Sequence, residues 1–465
     1  MKKKVAIIGA GIGGLAAGIR LRHAGYPVQI FEKNSQPGGK TSGQIIEGYS
    51  IETGPTILRA PYLLRELLAS IGKDPELLNL QPVDPQYKFF LPDQQTLTVS
   101  AEINATIKSI HMLSPQDAEN YTTFLNKTRE LYHDAFIKYP QTPFQPRRQT
   151  TTINPFSGRT LYQFISSHFS NQWIQSAFSF YPLFFGQNPM FAPEKVSLLH
   201  ALENQWGIVS PQHGMSDLAN TLAELFIELG GKISYNDEIR SINAKNNKIH
   251  ALRVSSGRIE QCDLAISNLS AYQIKTQIDS AKPTPAPTNR NIGCSFFTIN
   301  LIVEHHQSHQ TMETHNIFLP DDFKNTMNQI FRKKELPTSP WVYLHHPKNF
   351  NTASETDNFF LIVPVPNQSS RLDWQKSTLA FRNSILQTLE KHLPGIRRRI
   401  LHEIISTPED FTNRYSLPFG TNFQPSVRTT YQNLYFVGEN AWQGLGLIGS
   451  LTAAEEISNL IQNNH

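Results

Sequence analysis

Along the chain, short unbroken apolar runs rich in β-branched residues alternate with longer stretches of helical spacing. This is the pattern of buried parallel strands joined by helices. Lys4–Ile8 (KVAII) predicts a first strand, Ile12–Ala24 a helix that stops near Gly25, and Val28–Phe31 a second strand closed by Glu32. Pro61–Ile71 is helical. Gly214-Met215-Ser216-Asp217-Leu218 opens a helix through Glu228, ended by Gly230-Gly231. A strand at Lys232–Tyr235, a hairpin around Lys245–Lys248 and a strand at Leu264–Ser267 follow. Next come strands at Ser295–Glu304, Trp341–His345 and Phe359–Pro366, a helix start at Asp321-Asp322-Phe323, and a long helix from Asp373-Trp374 to near Gly395. Leu434–Glu439 is a strand that delivers an acid, and Leu451–Ile461 is a helix.

The length of 465 residues exceeds what one hydrophobic core serves, so several packed units are expected. A formal net charge of +4 gives no nucleic-acid footprint, so no nucleic acid is expected as a partner. The basic clusters Lys2-Lys3-Lys4, Arg147-Arg148 and Arg397-Arg398-Arg399 read either as solvated faces or as contacts to an anionic membrane surface. Two cysteines, Cys262 and Cys294, exclude a disulfide framework and a cysteine-rich metal site, and no metal is expected. With no signal peptide and no spanning run, the expectation is a cytoplasmic protein, soluble or peripheral at the membrane.

Chemistry enters with Gly9-x-Gly11-x-x-Gly14, placed directly after the first strand. Gly9 permits the tight turn, Gly11 lets backbone approach a pyrophosphate, and Gly14 allows close helix–strand packing. The helix N-terminus offers free N–H groups to the phosphates. Glu32, eighteen residues after Gly14, stands where a carboxylate accepts from ribose hydroxyls. Strand, helix, strand and acid in this order point to a bound dinucleotide. A second unit of the same kind, Gly438-Glu439 then Gly444 to Ser450, brings another glycine-rich helix start.

Between them, Pro37-Gly38-Gly39-Lys40-Thr41 and Glu52-Thr53-Gly54-Pro55-Thr56 resemble the GG[RK] and D-x-GPT patterns of glutathione-reductase-type flavoproteins, in the amine-oxidase and carotenoid-desaturase branch. The segments FGQNPMFAPEKVSLLHALENQWGIVSPQHGM, THNIFLPDDFKNTMNQIF, SPWVYLHHPKNFNTASETDNFFLIVPVPN and STPEDF are similar to landmarks of the phytoene and diapophytoene desaturases over essentially the whole chain. This resemblance implies an α/β fold: a Rossmann-like FAD-binding domain with an inserted α+β substrate-binding domain. It divides the chain into 1–75, 206–280 and 406–465 for FAD, 76–205 as a helical, aromatic-rich segment facing substrate or membrane, and 281–405 for substrate.

By the same resemblance the cofactor is FAD. Gly9, Gly11, Gly13, Gly14, Glu32 and Lys33 hold its nucleotide end. Gly39, Lys40, Gly54, Pro55 and Thr56 lie near pyrophosphate and flavin, and the Ile239 backbone meets the adenine. Gly438 and Glu439 reach the ribityl chain, and Gly446, Leu447 and Ile448 the flavin. The implied reaction is desaturation of an apolar isoprenoid or carotenoid-like chain by hydride transfer to flavin N5, with a quinone or oxygen as electron acceptor. Three other readings fit the same residues: an amine oxidase, a polyene isomerase or saturase, and a non-catalytic prenyl-binding carrier like the Rab escort proteins. Two elements depart from the family pattern: Pro211-Gln212-His213-Gly214-Met215, with histidine for a glycine, and Ala441-Trp442-Gln443-Gly444-Leu445-Gly446-Leu447. His213 is either a proton acceptor or a surface histidine; Trp442 either walls the flavin or only packs. The aromatics of 178–185 are either core or the lining of an apolar tunnel.

Overall fold

The computed structural model describes residues 2–46, 48–136, 158–278, 293–348, 355–415, 417–421, 431–438 and 445–464. Its centre is a five-stranded parallel sheet in the order Lys232–Ser234, Val28–Phe31, Val5–Ile8, Leu264–Ser267, Leu434–Phe436. Val5 pairs with both Val28 and Leu264, so the first strand is central and buried on both faces, as its apolar run requires. The helices Ile12–His23, Met215–Glu228 and Leu447–Asn464 cover one face through Leu15, Ile19, Leu222, Phe226, Leu451 and Ile457. Three antiparallel strands, Ile239–Lys245, Lys248–Val254 and Ile259–Gln261, cover the other through Ile242, Ile249 and Leu252. The first helix packs so closely that a Cβ on Gly18 would lie 3.0 Å from the Phe226 ring.

A second sheet has seven strands, in the order Ile400–Ser406, Ser295–Glu304, Thr356–Val365, Val342–His345, His315–Phe318, Tyr87–Phe90, Thr96–Val99. Its long strand Ser295–Glu304 alternates with period two. Phe297, Ile299, Leu301 and Val303 face the helix Trp374–Glu390, where they meet Trp374, Phe381, Ile385 and Leu389. Phe296 and Thr298 face the opposite way, into a cavity between the two sheets. Asp373 caps that helix by accepting from the Lys376 N–H at 3.2 Å.

The predicted strands and helices are present with small shifts at their ends. The final helix starts at Leu447, four residues before its predicted start at Leu451. The strand leading to it ends at Phe436. The hairpin Tyr87–Phe90/Thr96–Val99 and the helices Ile103–Leu113 and Pro115–Phe136 were not predicted. The hairpin lies in the 76–205 segment yet completes the sheet whose other strands come from 295–406, through a parallel pairing of Phe89 with Ile317. The Pro283–Pro287 connector and the Arg147-Arg148 cluster fall outside the described residues. No described helix is long and apolar enough to cross a membrane.

Because Phe381 is buried on the face turned away from the cavity, Phe381→Ala is expected to lower stability by about 3–5 kcal/mol without changing the flavin content of the folded protein. Chemical denaturation and the flavin absorbance of the purified variant check this.

Candidate functional site

One continuous cavity of about 480 Å³ runs from the carboxyl ends of the parallel strands to the apolar face of the seven-stranded sheet. Open α/β sheets bind ligands at this edge, where the connections diverge to either side of the central strand. Gly9, with φ +96°, makes the turn out of Val5–Ile8, and the helix that follows has no side-chain cap and no acid in its first turn. Its N–H groups are therefore open to an anion.

Three other segments close on this turn. The Gly38 N–H donates to the Ala10 carbonyl at 2.9 Å, which docks the Pro37–Thr41 segment against it. A Cβ on Gly54 would collide with the Lys40 carbonyl, so the second glycine motif nests directly on the first. Asn268, at the end of Leu264–Ser267, inserts its amide between Gly11, Gly13 and Gly438. A Cβ on Gly13 would lie 2.8 Å from both the Asn268 Oδ1 and the Gly438 nitrogen. Glu32 is buried; its Oε2 accepts from the Ala10 N–H at 2.8 Å and its Oε1 from the Asn34 N–H at 2.9 Å. Each oxygen keeps acceptor capacity for a ribose hydroxyl. Burial lowers the Lys33 ammonium, against the opposing charges of Glu238 and Glu32.

Gly9, Gly11, Gly13, Glu32, Lys33, Gly39, Lys40, Gly54, Pro55, Thr56, Ile239, Gly438, Gly446, Leu447 and Ile448 all line this cavity. Gly14 lies beneath it, where a Cβ would meet the Gly9 carbonyl. Glu439 and Trp442 lie outside the described residues. His213 is exposed on the turn before Met215–Glu228 and does not line the cavity, so its reading as a surface histidine is the one its position fits. Glu52, in the place of the family's aspartate, accepts from the Ser216 N–H at 3.3 Å and the Ser216 hydroxyl at 3.2 Å, at the start of that helix. Burial raises its carboxyl, and the bonds from Ser216 oppose this.

The far end of the cavity is apolar. Ile57, Phe184, Phe185, Phe296, Phe360, Ile362, Phe411, Leu417 and Leu445 line it. Of the aromatic run, Phe178, Phe180 and Tyr181 are core, and Phe184 and Phe185 reach the cavity. The charged residue here is Arg59, which composition did not reveal. It pairs with Glu203, and its Nη2 donates to the Tyr87 hydroxyl at 3.0 Å. Glu203 also accepts from Tyr87 at 2.7 Å and from Tyr181. Burial opposes the guanidinium charge, and Tyr87, Glu203 and Tyr181 more than offset it, so Arg59 is held above its ordinary range. The charge is thus compensated within the protein rather than offered to a ligand. Beside it, Thr56 shares a 2.6 Å hydrogen bond with the Tyr343 hydroxyl, which is 2.8 Å from the His315 Nδ1.

The cavity fits FAD: an uncapped helix start, glycines that no side chain could replace, and a strand-end carboxylate with free acceptor capacity converge on it. The family model described as flavin containing amine oxidoreductase matches residues 12–461. The chain belongs to that family. It is accordingly an FAD-dependent oxidoreductase. Among relatives, this member of the family is 27% identical to a lycopene-forming phytoene desaturase of Pantoea ananas, over 99% of each chain. It is 26% identical to a 4,4'-diapophytoene desaturase of Staphylococcus haemolyticus, over 97% of each chain. In fold it is similar to an oxidoreductase from Methanosarcina mazei, with a TM-score of 0.69 at 18% identity over 98% of this chain and 100% of the other.

Asn268 and Arg59 were missed in the sequence. Asn268 had a signal, since a polar residue directly after a fully buried strand repeats the placement of Glu32. Arg59 had none, because its partner Glu203 is far away in the chain.

Gly13→Ala is expected to weaken FAD at least tenfold, about 1.4 kcal/mol, because the new methyl group meets Gly438 backbone; the ratio of flavin to protein absorbance and FAD titration of the apoprotein report it. A second expectation concerns acid. His200 is pushed down to about 3 by burial and the Arg59 charge, against the Phe178 carbonyl bond. His345 is pushed down to about 3 by burial and His346. The unfolded chain takes up these protons near 6.5 and the folded one only near 3. Their contribution is therefore intact above that upper value. It is lost as pH falls through the window, at about 1.4 kcal/mol per pH unit for each histidine. Thermal unfolding measured across the window checks the slope, which His200→Gln reduces.

Proposed function

We propose that this flavoenzyme desaturates a long apolar isoprenoid of the carotenoid-precursor class. The observation that carries the reading is the far end of the cavity. Phenylalanine, isoleucine and leucine side chains make up most of it, with Thr298 and Tyr415 among them, and the buried guanidinium of Arg59 there is compensated by Glu203. An amine substrate calls for a polar cage around the nitrogen, whereas a hydrocarbon chain binds by burial of its surface in a dry groove. The relatives named as phytoene and diapophytoene desaturases agree with this choice.

Bound FAD supplies a two-electron acceptor for a C–H bond. Gly9, Gly11, Gly13, Gly39, Lys40, Glu32, Lys33, Ile239 and Gly438 hold its nucleotide and pyrophosphate, and Gly54–Thr56 with Gly446–Ile448 hold its ring. Phe184, Phe185, Phe296, Phe360 and Ile362 orient the hydrocarbon and exclude water. The oxidant that completes turnover is a quinone or oxygen. A substrate dissolved in lipid requires peripheral contact with a membrane, and the exposed Arg397 and Arg398 suit an anionic one.

Expression of the chain in a host that accumulates acyclic carotenoid precursors is expected to yield products with longer conjugation. An unchanged pigment profile, together with no anaerobic bleaching of the flavin by those precursors, overturns the reading. Ile362→Glu, which places a carboxylate on the apolar wall, is expected to cut turnover at least tenfold, about 1.4 kcal/mol, with FAD content unchanged.

A further inference from the structure

At one end of the seven-stranded sheet, three imidazoles converge on a single carboxylate. His305 Nδ1 lies 2.9 Å from Asp357 Oδ2, and His309 Nδ1 lies 2.6 Å from the same oxygen. His346 Nε2 lies 3.3 Å from Asp357 Oδ1. The four residues come from three places: the turn after Ser295–Glu304, the end of Val342–His345 and the start of Thr356–Val365. We propose that His305, His309 and Asp357 bind one divalent transition ion of the zinc class, with His346 fixing the carboxylate from behind.

The donor set suits such an ion: two imidazole nitrogens and a carboxylate oxygen are zinc ligands, and the ion favours four-coordination. Their ligand atoms all lie within 4.8 Å of one another. Two atoms each held about 2.0–2.1 Å from a tetrahedral zinc lie about 3.3 Å apart, so the His305 pair opens slightly and the His309 pair more. His305 is 46% exposed, so solvent can reach the cluster and would supply the fourth ligand. His309, by contrast, is buried. His305 precedes and His309 lies within a single helical turn, Gln307–Thr311, and both Nδ1 atoms meet the same Asp357 oxygen.

The opposite ring atom of His309 gives an independent sign. His309 Nε2 and His346 Nδ1 are buried without a hydrogen-bond partner. Both rings stand edge-to-face with Phe359, at centroid distances of 5.1 and 4.9 Å. If the cluster were held only by hydrogen bonds, neutral His309 would carry its hydrogen on Nδ1 and leave a bare lone pair at Nε2. Ligation through Nδ1 moves that hydrogen to Nε2, and an aromatic neighbour accommodates an N–H better than a lone pair. His346 donates from Nε2 to Oδ1, orienting the ligand oxygen. The ion would tie the histidine turn to the start of the strand that carries Phe360 and Ile362 into the cavity.

The test uses untagged, FAD-loaded protein, stripped with a chelator, incubated with zinc and gel-filtered before elemental analysis. One equivalent per chain is expected, with a Kd of about 1 µM or tighter and a raised thermal midpoint. His305→Ala changes an exposed ligand and leaves the metal-free midpoint unmoved; it weakens zinc at least tenfold. Asp357→Asn removes the retained equivalent and the thermal shift. If wild type retains none, or if His305→Ala and Asp357→Asn bind as wild type does, the site is a hydrogen-bonded cluster and the proposal fails.

Discussion

Everything in this molecule depends on how closely backbone approaches backbone at the carboxyl edge of the parallel sheet. Gly13 and Gly438 are separated by almost the whole chain, yet no Cβ fits between them, and the Asn268 amide fills the space on the same side. Glycine at these positions has two effects that cannot be separated. It lets three strand ends converge, and it leaves the N–H groups of the first helix uncovered for an anion. The Gly54 and Lys40 contact repeats the principle one layer out. This end of the cavity is thus built from main chain, with Glu32 a buried side chain tied to the glycine turn through the Ala10 N–H.

The opposite end of the cavity is built from side chains. The strand Ser295–Glu304 serves two cores by simple alternation, with one set of residues under the helix Trp374–Glu390 and the other facing the ligand. A buried charge beside such an apolar surface is costly unless satisfied, and Glu203 with Tyr87 and Tyr181 satisfies Arg59. The cavity wall therefore stays apolar in its interactions although a guanidinium stands in it.

The parts legible in the sequence were those governed by local pattern. Val5–Ile8, Val28–Phe31 and Leu264–Ser267 sit where their apolar runs placed them, because a strand buried on both faces needs no partner to be recognised. The glycines at the cavity were legible for a related reason: Gly9 and Gly438, with positive φ just after such strands, are local features. Pairing across distance was not legible. Nothing in Tyr87–Phe90 announces His315–Phe318 as its neighbour, and nothing around Arg59 announces Glu203. His213 was singled out for departing from a pattern; it is exposed and does not line the cavity.

The contact of the first helix and the turn after it with the helix Leu447–Asn464, where the Tyr26 hydroxyl reaches the Ile461 carbonyl across 435 residues, has a bearing on how the protein is made. Contacts of such long separation close late, since the loop entropy must be overcome before they are rewarded. During synthesis Val5–Ile8 emerges long before its second partner, Leu264–Ser267, so one of its edges stays unpaired until that strand is made. Unpaired strand edges in half-built sheets favour aggregation, so shielding of the Val5–Ile8 edge in that interval would favour folding.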